Sequence, residues 1–563
     1  MDFEALLKAV GHYGRYQKCI LLLFGLMVLL NATHLYIQVF TAGKSDHWCQ
    51  SWVNEDCPTD LDDADFNCEV FKKALSTPMV DNDTSYEQCT KYNVSGIDLQ
   101  TAIDLGDDVT KLNVIPCDEG WEYDRSTFPS TIIQDFELVC GKSYLPNIAQ
   151  STYFAGFLVG SALAGLAADS LGRRFSLLLN IACSVAVGIF TMFSPNTAIF
   201  ITLRFFMAVF LKSIGQINFV AMTEVVAPSK RVFVANFMWM FFAGGYFFLS
   251  GMAKLIGNWR LLTLIFTLPY IPLFVITFFF LQESPRWLIT RRDTAKAQKV
   301  LSRIASVNQR DIQDEEIQKS CDVDALETTK TNEAVGNLAA LIRSPTIVLI
   351  VVNMCFNWAV QSLVFYGLSL STSSLGIDPY ISFIISGAIE IPAYFSCIFV
   401  AEWLGRKGAT FTTMILGGLC CCITPLIPIG IPRALVAMGG KFFITMSFSI
   451  VSTWSAELIP TPLRSSGIGL FSLTSRIGGI LAPLILLLDQ VWTSLPVLVF
   501  GSFSITAGLL CLLMPETKGQ PLPASVDDTK SLYKKTHQAD NDDAENYKDN
   551  YKPSDVSEKP ALA

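Results

Sequence analysis

The sequence predicts an all-α membrane protein in which twelve transmembrane helices form two pseudo-symmetric six-helix bundles, with a large extracellular loop between helices 1 and 2. Three observations predict this fold. The chain has 563 residues, of which 51% are hydrophobic and only 16% charged, whereas an average soluble protein carries about 25% charged residues. Twelve apolar stretches have about the 20 residues that cross a bilayer core. Four sequence features recur at one fixed offset, which indicates a duplicated half.

The twelve apolar stretches define the predicted spans. They cover residues 18–40, 146–168, 175–194, 198–221, 233–256, 261–281, 345–368, 379–401, 409–430, 434–456, 467–488 and 494–514. The first stretch follows a polar start and lacks a small-residue cleavage site, so we do not expect a cleaved signal peptide. Lys and Arg concentrate in the starting segment and in alternate loops, which predicts that both termini are cytoplasmic. We expect a multi-pass protein of the plasma membrane.

The loop at residues 41–145 has the features of an extracellular segment. It contains 21 acidic and 7 basic residues, and N-x-[ST] sequons at Asn82 and Asn93. Its six cysteines are Cys49, Cys57, Cys68, Cys89, Cys117 and Cys140. An even number of cysteines beside glycosylation sequons indicates an oxidising compartment and disulfide bonds. Six cysteines allow fifteen pairings, and the sequence does not choose among them.

The remaining segments complete the predicted domain organisation. It comprises a cytoplasmic N-terminus at 1–17, an N-terminal bundle at 18–281, a cytoplasmic linker at 282–344, a C-terminal bundle at 345–514 and a disordered cytoplasmic tail at 515–563. The linker contains an amphipathic stretch, which predicts that part of it is helical.

Several functional classes lack their residues. The sequence contains no HExxH, no CxxC and no GxxxxGK[ST], so metalloprotease, redox and P-loop ATPase chemistry are not predicted. A net charge of −9 gives no support to nucleic-acid binding. We therefore expect no enzyme, no bound metal and no cofactor, and the predicted partners are the bilayer and a small substrate. A coupling ion such as Na+ or H+ stays open.

The repeat places matching motifs at an offset of 233 residues. Gly172 matches Gly405, Glu224 matches Glu457, Arg231 matches Arg464, and Glu283 matches Glu516. A glycine allows a tight turn between helices, and an acid beside several bases can form an ion network that gates the cytoplasmic side; plain topology is the alternative, because bases hold loops inside. The candidate gating residues are Asp169, Gly172, Arg173, Arg174, Glu224, Arg231, Arg406, Glu457 and Arg464. Parallel six-helix repeats are typical of secondary transporters that hold substrate near the bilayer midplane.

Six motifs carry a family resemblance. Their segments are Gly165–Arg174 (GLAADSLGRR), Ser130–Cys140 (STIIQDFELVC), Glu283–Leu288 (ESPRWL), Phe365–Leu370 (FYGLSL), Ala456–Arg464 (AELIPTPLR) and Pro515–Gly519 (PETKG). The first resembles the major facilitator signature, and the others resemble the organic cation, carnitine and organic anion transporter family (solute carrier family 22). The resemblance covers almost the whole chain and is closest to carnitine and organic cation transporter-like members. One departure is Ser170, where the family signature has an arginine after the aspartate.

Ionisable residues deep in the spans are candidate substrate contacts, since a charge at the bilayer centre costs roughly 2.5–3.5 kcal/mol. Lys212, Glu390 and Arg476 lie well inside their spans, and Lys441 is shallower. By resemblance, Arg476 is typical of anion and carnitine carriers, Glu390 of cation and carnitine carriers, and Lys212 of cation carriers. Anion carriers tend to have a base where Tyr394 stands.

An acid together with an arginine suits a zwitterion, whose carboxylate would meet Arg476 and whose ammonium would lie among aromatic rings near Glu390. The alternative is that Glu390 pairs with Arg476 or Lys212 and only holds helices together. Further candidate substrate contacts are Tyr366, Trp358, Trp239, Tyr246, Trp454 and Asn31. Asn31 is a candidate to bind a coupling ion or a substrate oxygen, and a helix-helix hydrogen bond is the favoured alternative for it.

The leading functional hypothesis is therefore a secondary transporter that moves small organic ions by alternating access, with carnitine-like zwitterions or organic cations as its substrates. An organic anion exchanger is the alternative within transport. A non-transporting receptor or adhesion protein is the alternative outside it, because a large disulfide-bonded loop fits that class as well.

Overall fold

The structure is a computed structural model of the chain, and the residues that it describes are 3–11, 13–51, 68–80, 85–331, 344–523 and 525–534. These residues are mainly helical and include three short two-stranded antiparallel sheets. The chain divides into two compact units. The N-terminal unit comprises Met1–Asp322 and Leu370–Gly387, and the C-terminal unit comprises Val323–Ser369 and Ala388–Ala563.

The first fourteen helices belong to the N-terminal unit, and α15 is divided between the two units at Asp322. They are α1 (Phe3–Ala9), α2 (Arg15–Tyr36), α3 (Gln38–Thr41), α4 (Cys68–Ser76), α5 (Leu99–Leu105), α6 (Ile132–Asp135), α7 (Leu145–Leu171), α8 (Arg173–Met192), α9 (Thr197–Val225), α10 (Pro228–Ile256), α11 (Trp259–Thr267), α12 (Tyr270–Phe280), α13 (Pro285–Thr290), α14 (Thr294–Val307) and α15 (Asp314–Thr331). Helix α9 begins at a side-chain cap, because the Asn196 amide oxygen accepts a hydrogen bond from the Ile199 N–H at 3.0 Å.

The remaining long helices form most of the C-terminal unit. They are α16 (Pro345–Leu370), α17 (Pro379–Ala388), α18 (Glu390–Ile423), α19 (Ile431–Leu458), α20 (Arg464–Leu486) and α21 (Leu495–Cys511). Helix α17 is the exception, since it belongs to the N-terminal unit. There the Ser250 hydroxyl of α10 donates to the Tyr380 carbonyl at 2.9 Å, and the rings of Tyr246 and Phe383 stack at 4.8 Å. The predicted bundle boundaries did not include this exchange.

Ten described segments are long and apolar enough to cross a membrane. Nine of them coincide with single predicted spans. The tenth, Pro379–Leu426, is 48 residues long. It contains the predicted span 379–401 and most of the predicted span 409–430, because helical geometry continues on both sides of a turn at Gly405. The last predicted span falls on the shorter apolar helix Leu495–Cys511.

The loop between α3 and α7 folds on short strands and disulfides. Strands β1 (His47–Cys49) and β6 (Trp121–Tyr123) pair antiparallel with Trp48 opposite Glu122. The other pairs are β2 (Met79–Val80) with β3 (Ser85–Tyr86) and β4 (Thr90–Tyr92) with β5 (Val114–Pro116). Disulfides join Cys49 to Cys117 and Cys89 to Cys140. Cys57, Asn82 and the side chain of Cys68 lie outside the described residues, and Asn93 is exposed.

A buried lysine organises the charges of this loop. The Lys91 ammonium lies 2.7 Å from an Asp118 oxygen and 3.0 Å from a Glu119 oxygen. It also donates to the Gln50 carbonyl at 3.2 Å. The hydrogen bond from Lys91 holds the pKa of the Asp118 carboxyl below its ordinary value. The pair therefore stabilises the loop at neutral pH and is lost as the pH falls through that lowered pKa.

Residues 526–534, which we expected in a disordered tail, are helical and are named the tail helix. A reciprocal capping box starts it: the Ser525 N–H donates to the Asp528 carboxylate at 2.9 Å, and the Asp528 N–H donates to the Ser525 hydroxyl at 3.2 Å. Val526 and Tyr533 of the tail helix pack against an apolar cluster that includes Leu458. The helix forms because this cluster covers its apolar face, which a composition argument does not reveal.

Candidate functional site

The first candidate site is the Arg173 network, defined by Arg173, Glu224 and Glu283 in the N-terminal unit. The Arg173 guanidinium grips the Glu224 carboxylate with two hydrogen bonds, Nε to Oε2 at 3.1 Å and Nη2 to Oε1 at 2.9 Å. Its Nη1 also donates to the Ala168 carbonyl at 3.0 Å. The Glu283 carboxylate accepts the backbone N–H of Arg173 at 2.7 Å and thereby caps the start of α8.

The C-terminal unit repeats this arrangement as the Arg406 network, defined by Arg406, Glu457 and Glu516. Arg406 donates from Nε to Glu457 Oε2 and from Nη2 to Glu457 Oε1, both at 3.2 Å. Its Nη1 donates to the Ala401 carbonyl at 3.5 Å. The Glu516 carboxylate accepts the backbone N–H of Arg406 at 2.9 Å. Each of these bonds therefore joins residues that lie 233 positions after their counterparts in the Arg173 network.

A glycine in a left-handed conformation precedes the arginine in both networks. Gly172 has φ +93° and Gly405 has φ +76°. A Cβ at Gly172 would lie 2.4 Å from Glu283 Oε2, and a Cβ at Gly405 would lie 2.4 Å from Glu516 Oε2. Each turn therefore requires glycine for two reasons, which are its backbone angle and the close approach of the glutamate.

The other predicted gating residues surround the two networks. Asp169 lies 3.2 Å from Arg173 Nη2 but is 75% exposed. Arg174 donates to the Phe278 carbonyl, Arg231 donates to the Thr223 carbonyl at 3.1 Å, and Arg464 donates to the Thr461 hydroxyl at 3.4 Å. Each of these bonds joins groups of the same unit.

The second candidate site is a group of buried ionisable and aromatic residues in the C-terminal unit. Glu390 and Lys441 form an ion pair, with Lys441 Nζ 2.9 Å from Glu390 Oε1 and side chains that are 1% and 0% exposed for Lys441 and Glu390. The chain turns at Ile389 between α17 and α18. Pro392 contributes to this break, because it has no N–H for the Ala388 carbonyl. Glu390 consequently lies in the first turn of α18, where the helix dipole favours a carboxylate.

Arg476 of α20 lies in the same unit and contacts Tyr366. The guanidinium donates a hydrogen bond to the Tyr366 hydroxyl, and Arg476 Nε is buried without a hydrogen-bond partner. None of the ion pairs formed by the described residues includes Arg476. The alternative interpretation, in which Arg476 pairs with Glu390, does not match the ion pairs of the described residues, where Lys441 binds that carboxylate.

A series of aromatic rings in mutual contact begins beside the ion pair. Lys441 Nζ lies 5.3 Å from the Phe365 ring centroid, and Phe365 stacks with Phe448 at 6.1 Å. Trp358 packs edge-on against Phe448 at 5.7 Å. The Trp358 Nε1 is buried and has no hydrogen-bond partner among the described residues. Tyr394 is an electrostatic neighbour of Glu390.

The other predicted contacts have different surroundings. Trp454 is buried in the apolar cluster beside Leu458 and donates from Nε1 to the Pro515 carbonyl at 3.3 Å. In the N-terminal unit, Asn31 donates to the Leu211 carbonyl at 2.8 Å, beside the partly buried Lys212. Tyr246 is buried against Tyr36 and Phe383, and Trp239 is half exposed. The predicted role of these residues as substrate contacts stays a proposal.

Arg204 is a buried charge that the sequence analysis missed. It is 4% exposed in α9, donates to the His34 carbonyl at 3.1 Å and lies 4.1 Å over the Tyr153 ring. No ion pair of the described residues includes it. It lies six residues into the predicted span 198–221, so a search for charges deep in the spans did not select it. The available signal was the presence of His34 and Gln150, which are polar residues within apolar stretches.

The fold, the apolar helices and the duplicated networks define a multi-pass membrane transporter, and comparisons with known proteins agree. Residues 118–525 match the family of sugar (and other) transporters. The proton:xylose symporter XylE from E. coli superposes with a TM-score of 0.56 at 15% identity, over 92% of this chain and 99% of that chain. The architecture is therefore that of the major facilitator superfamily, which is a fold of transporters and not of enzymes.

Relatives specify the family within that class. Human solute carrier family 22 member 13 is 34% identical over 532 residues, covering 94% of this chain and 93% of the relative. Organic cation transporter 1 of Caenorhabditis elegans is 30% identical over 552 residues, covering 95% and 89%. The chain belongs to solute carrier family 22, which confirms the resemblance drawn from its motifs. It is a multi-pass membrane protein that transports organic ions.

Proposed function

We propose that this protein is a secondary transporter of small organic ions that carry a carboxylate, with carnitine-like zwitterions as the leading substrate class. It works by alternating access. The observation that carries the substrate class is Arg476, a partly buried guanidinium outside the described ion pairs.

Arg476 has the chemistry to select a carboxylate. A guanidinium presents parallel N–H groups that bind a carboxylate bidentately. The unpartnered Nε leaves one such donor unused. A buried cation without a counter-charge is unfavourable, so a carboxylate from the substrate would supply what the surrounding residues do not.

Aromatic rings in the same unit support the zwitterion over a plain anion. Trp358, Phe448 and Phe365 form consecutive ring contacts. An ammonium over such a face gains up to about 2 kcal/mol when desolvated. Trp358 is only partly buried, so its ring is available to contact a substrate ammonium.

The proposed topology has twelve crossings, with both termini in the cytoplasm and the protein in the plasma membrane. A helical segment of 48 residues such as Pro379–Leu426 would extend roughly 72 Å at about 1.5 Å per residue, more than twice the roughly 30 Å of a bilayer core. The turn at Gly405 supports two crossings there. The disulfides of the loop and the exposed Asn93 support its extracellular location.

An organic anion exchanger is the second candidate, and the Glu390–Lys441 pair favours it. Because Lys441 neutralises Glu390, the ionisable groups Glu390, Lys441 and Arg476 carry a net charge of +1. A net positive group favours carboxylate-bearing substrates of either kind over simple cations.

The test is the charge reversal Arg476→Asp, assayed in cells by uptake of radiolabelled carnitine, benzoate and tetraethylammonium, with and without a sodium gradient. Carnitine and benzoate uptake should fall by about 100-fold, because a charge-assisted bidentate contact becomes a repulsion, and tetraethylammonium uptake should not fall. Arg310→Asp, in an exposed linker position, controls for net charge and surface expression. Equal losses for all three substrates at normal surface expression would contradict the proposal.

A further inference from the structure

We infer that Lys441 determines the charge class of the substrate by occupying the Glu390 carboxylate. This inference rests on the proposed function and deepens it. The juxtaposition that carries it is a buried ammonium from α19 bound to a buried carboxylate from α18, with an aromatic ring beside them.

Glu390 has the chemistry of a cation-binding group, since it is a carboxylate that is buried within an apolar segment. It lies deep in a predicted span, at a helix break, among aromatic residues. Discontinuous helices of this kind form substrate and ion sites in transporters. A carboxylate there would attract an organic cation if nothing else occupied it.

Lys441 supplies that occupant from within the chain. Its Nζ lies 2.9 Å from the carboxylate and 5.3 Å from the Phe365 ring centroid. It therefore contacts both groups, an anion and a ring, that a substrate ammonium would use. A tethered ammonium has a far higher effective concentration than a dilute free cation, so a free cation does not compete for Glu390.

The consequence for selectivity is asymmetric. With Lys441 in place, Arg476 is the one of the three groups Glu390, Lys441 and Arg476 that lies outside their ion pair, and the substrate must bring a carboxylate. Without the Lys441 charge, Glu390 and Phe365 become a cation site, while Arg476 is unchanged. Lys441 acts through Glu390, and it is a positioning and specificity-determining residue that does not itself contact cargo.

The experiment is Lys441→Met, which keeps most of the side-chain length and removes the charge. Uptake of tetraethylammonium into cells expressing the full chain should rise about tenfold or more, because a buried carboxylate becomes available. Lys441→Arg, which keeps the charge, should give no rise. The double variant Lys441→Met with Glu390→Gln should lose the gain. A merely structural pair would lower all uptake and would not create a new substrate.

A second variant keeps the inference testable if Lys441→Met does not reach the surface. Glu390→Gln frees the Lys441 ammonium, so benzoate uptake should rise several-fold, by about threefold to tenfold. Were Glu390 the direct ligand of a substrate ammonium, the same variant would raise the KM for carnitine and leave benzoate uptake unaffected.

The outcomes separate the two claims. Tetraethylammonium uptake that rises in Lys441→Met and disappears in the double variant supports the inference. Unaltered selectivity in Lys441→Met and in Glu390→Gln, both at the surface, overturns the inference and leaves the proposed function standing. A wild-type protein that takes up tetraethylammonium but neither carnitine nor benzoate overturns the proposed function itself.

Discussion

The Arg173 and Arg406 networks are near copies of each other, whereas the buried charges of the C-terminal unit have no counterpart. At the same offset of 233 residues, Glu390, Lys441 and Arg476 correspond to Phe157, Ala208 and Ala243. All three of those residues are buried and uncharged. The difference teaches that the turns that join helices follow the repeat, because each half needs them, while the charges of Glu390, Lys441 and Arg476 do not follow it.

The largest effect should come from removing the glutamate that caps each network. Glu283→Ala exposes the N–H groups of Arg173 and Arg174, and Glu516→Ala exposes those of Arg406 and Lys407. Each loss should lower the free energy of unfolding by about 3 kcal/mol, because several donors to a charged acceptor lose their partner.

This prediction is checked by thermal unfolding of the purified protein in detergent. Glu315→Ala, in the exposed first turn of α15, is the control and should unfold like the wild type. Strong destabilisation in one half only would show that the two networks are equivalent in geometry but not in energy.

A smaller effect is expected at the turn glycines. Gly172→Ala and Gly405→Ala place a Cβ at positive φ and against a glutamate oxygen, so each should destabilise by about 2 kcal/mol. Gly251→Ala and Gly469→Ala are matched controls, one per unit, since a Cβ at either meets open space. Surface expression and melting temperature are measured for the turn variants and for the controls. An alanine that is tolerated at either turn would show that the two turns are not equivalent.

The smallest effect should come from the acid that begins each motif. Asp169 is 75% exposed, and its pair with Arg173 crosses the turn at Gly172, so Asp169→Asn should change stability by less than about 0.5 kcal/mol. Glu402→Gln, the corresponding substitution in the other half, should be equally mild. A large loss of uptake with normal melting would instead assign Asp169 a role in transport kinetics.

Sequence reasoning identified the repeat, the membrane character and the family, because these depend on composition, spacing and short motifs. The equal spacing of Gly172 and Gly405 predicted matching turns, and the structure supplies the reason, a glutamate packed against each glycine. The partner of Glu390 could not be predicted. Which buried charges meet depends on how each helix is rotated about its axis, and tertiary packing decides that rotation.

Two further features were present in the sequence but outweighed by stronger signals. Ser525 and Asp528 have capping-box spacing, but the charged composition around them favoured a disordered tail. Arg204 lies six residues into its predicted span, so the search for charges deep in the spans did not select it. Its burial against Tyr153 follows from contacts between distant segments.

The tail helix sets a practical boundary for protein engineering. Val526 and Tyr533 shield apolar side chains of the C-terminal unit, and the Thr461 N–H donates to the Pro523 carbonyl at 3.0 Å. A chain truncated directly after the last apolar helix would expose apolar surface that promotes aggregation during purification. Fluorescent or affinity tags therefore belong beyond residue 534, where they leave the tail helix and its contacts in place.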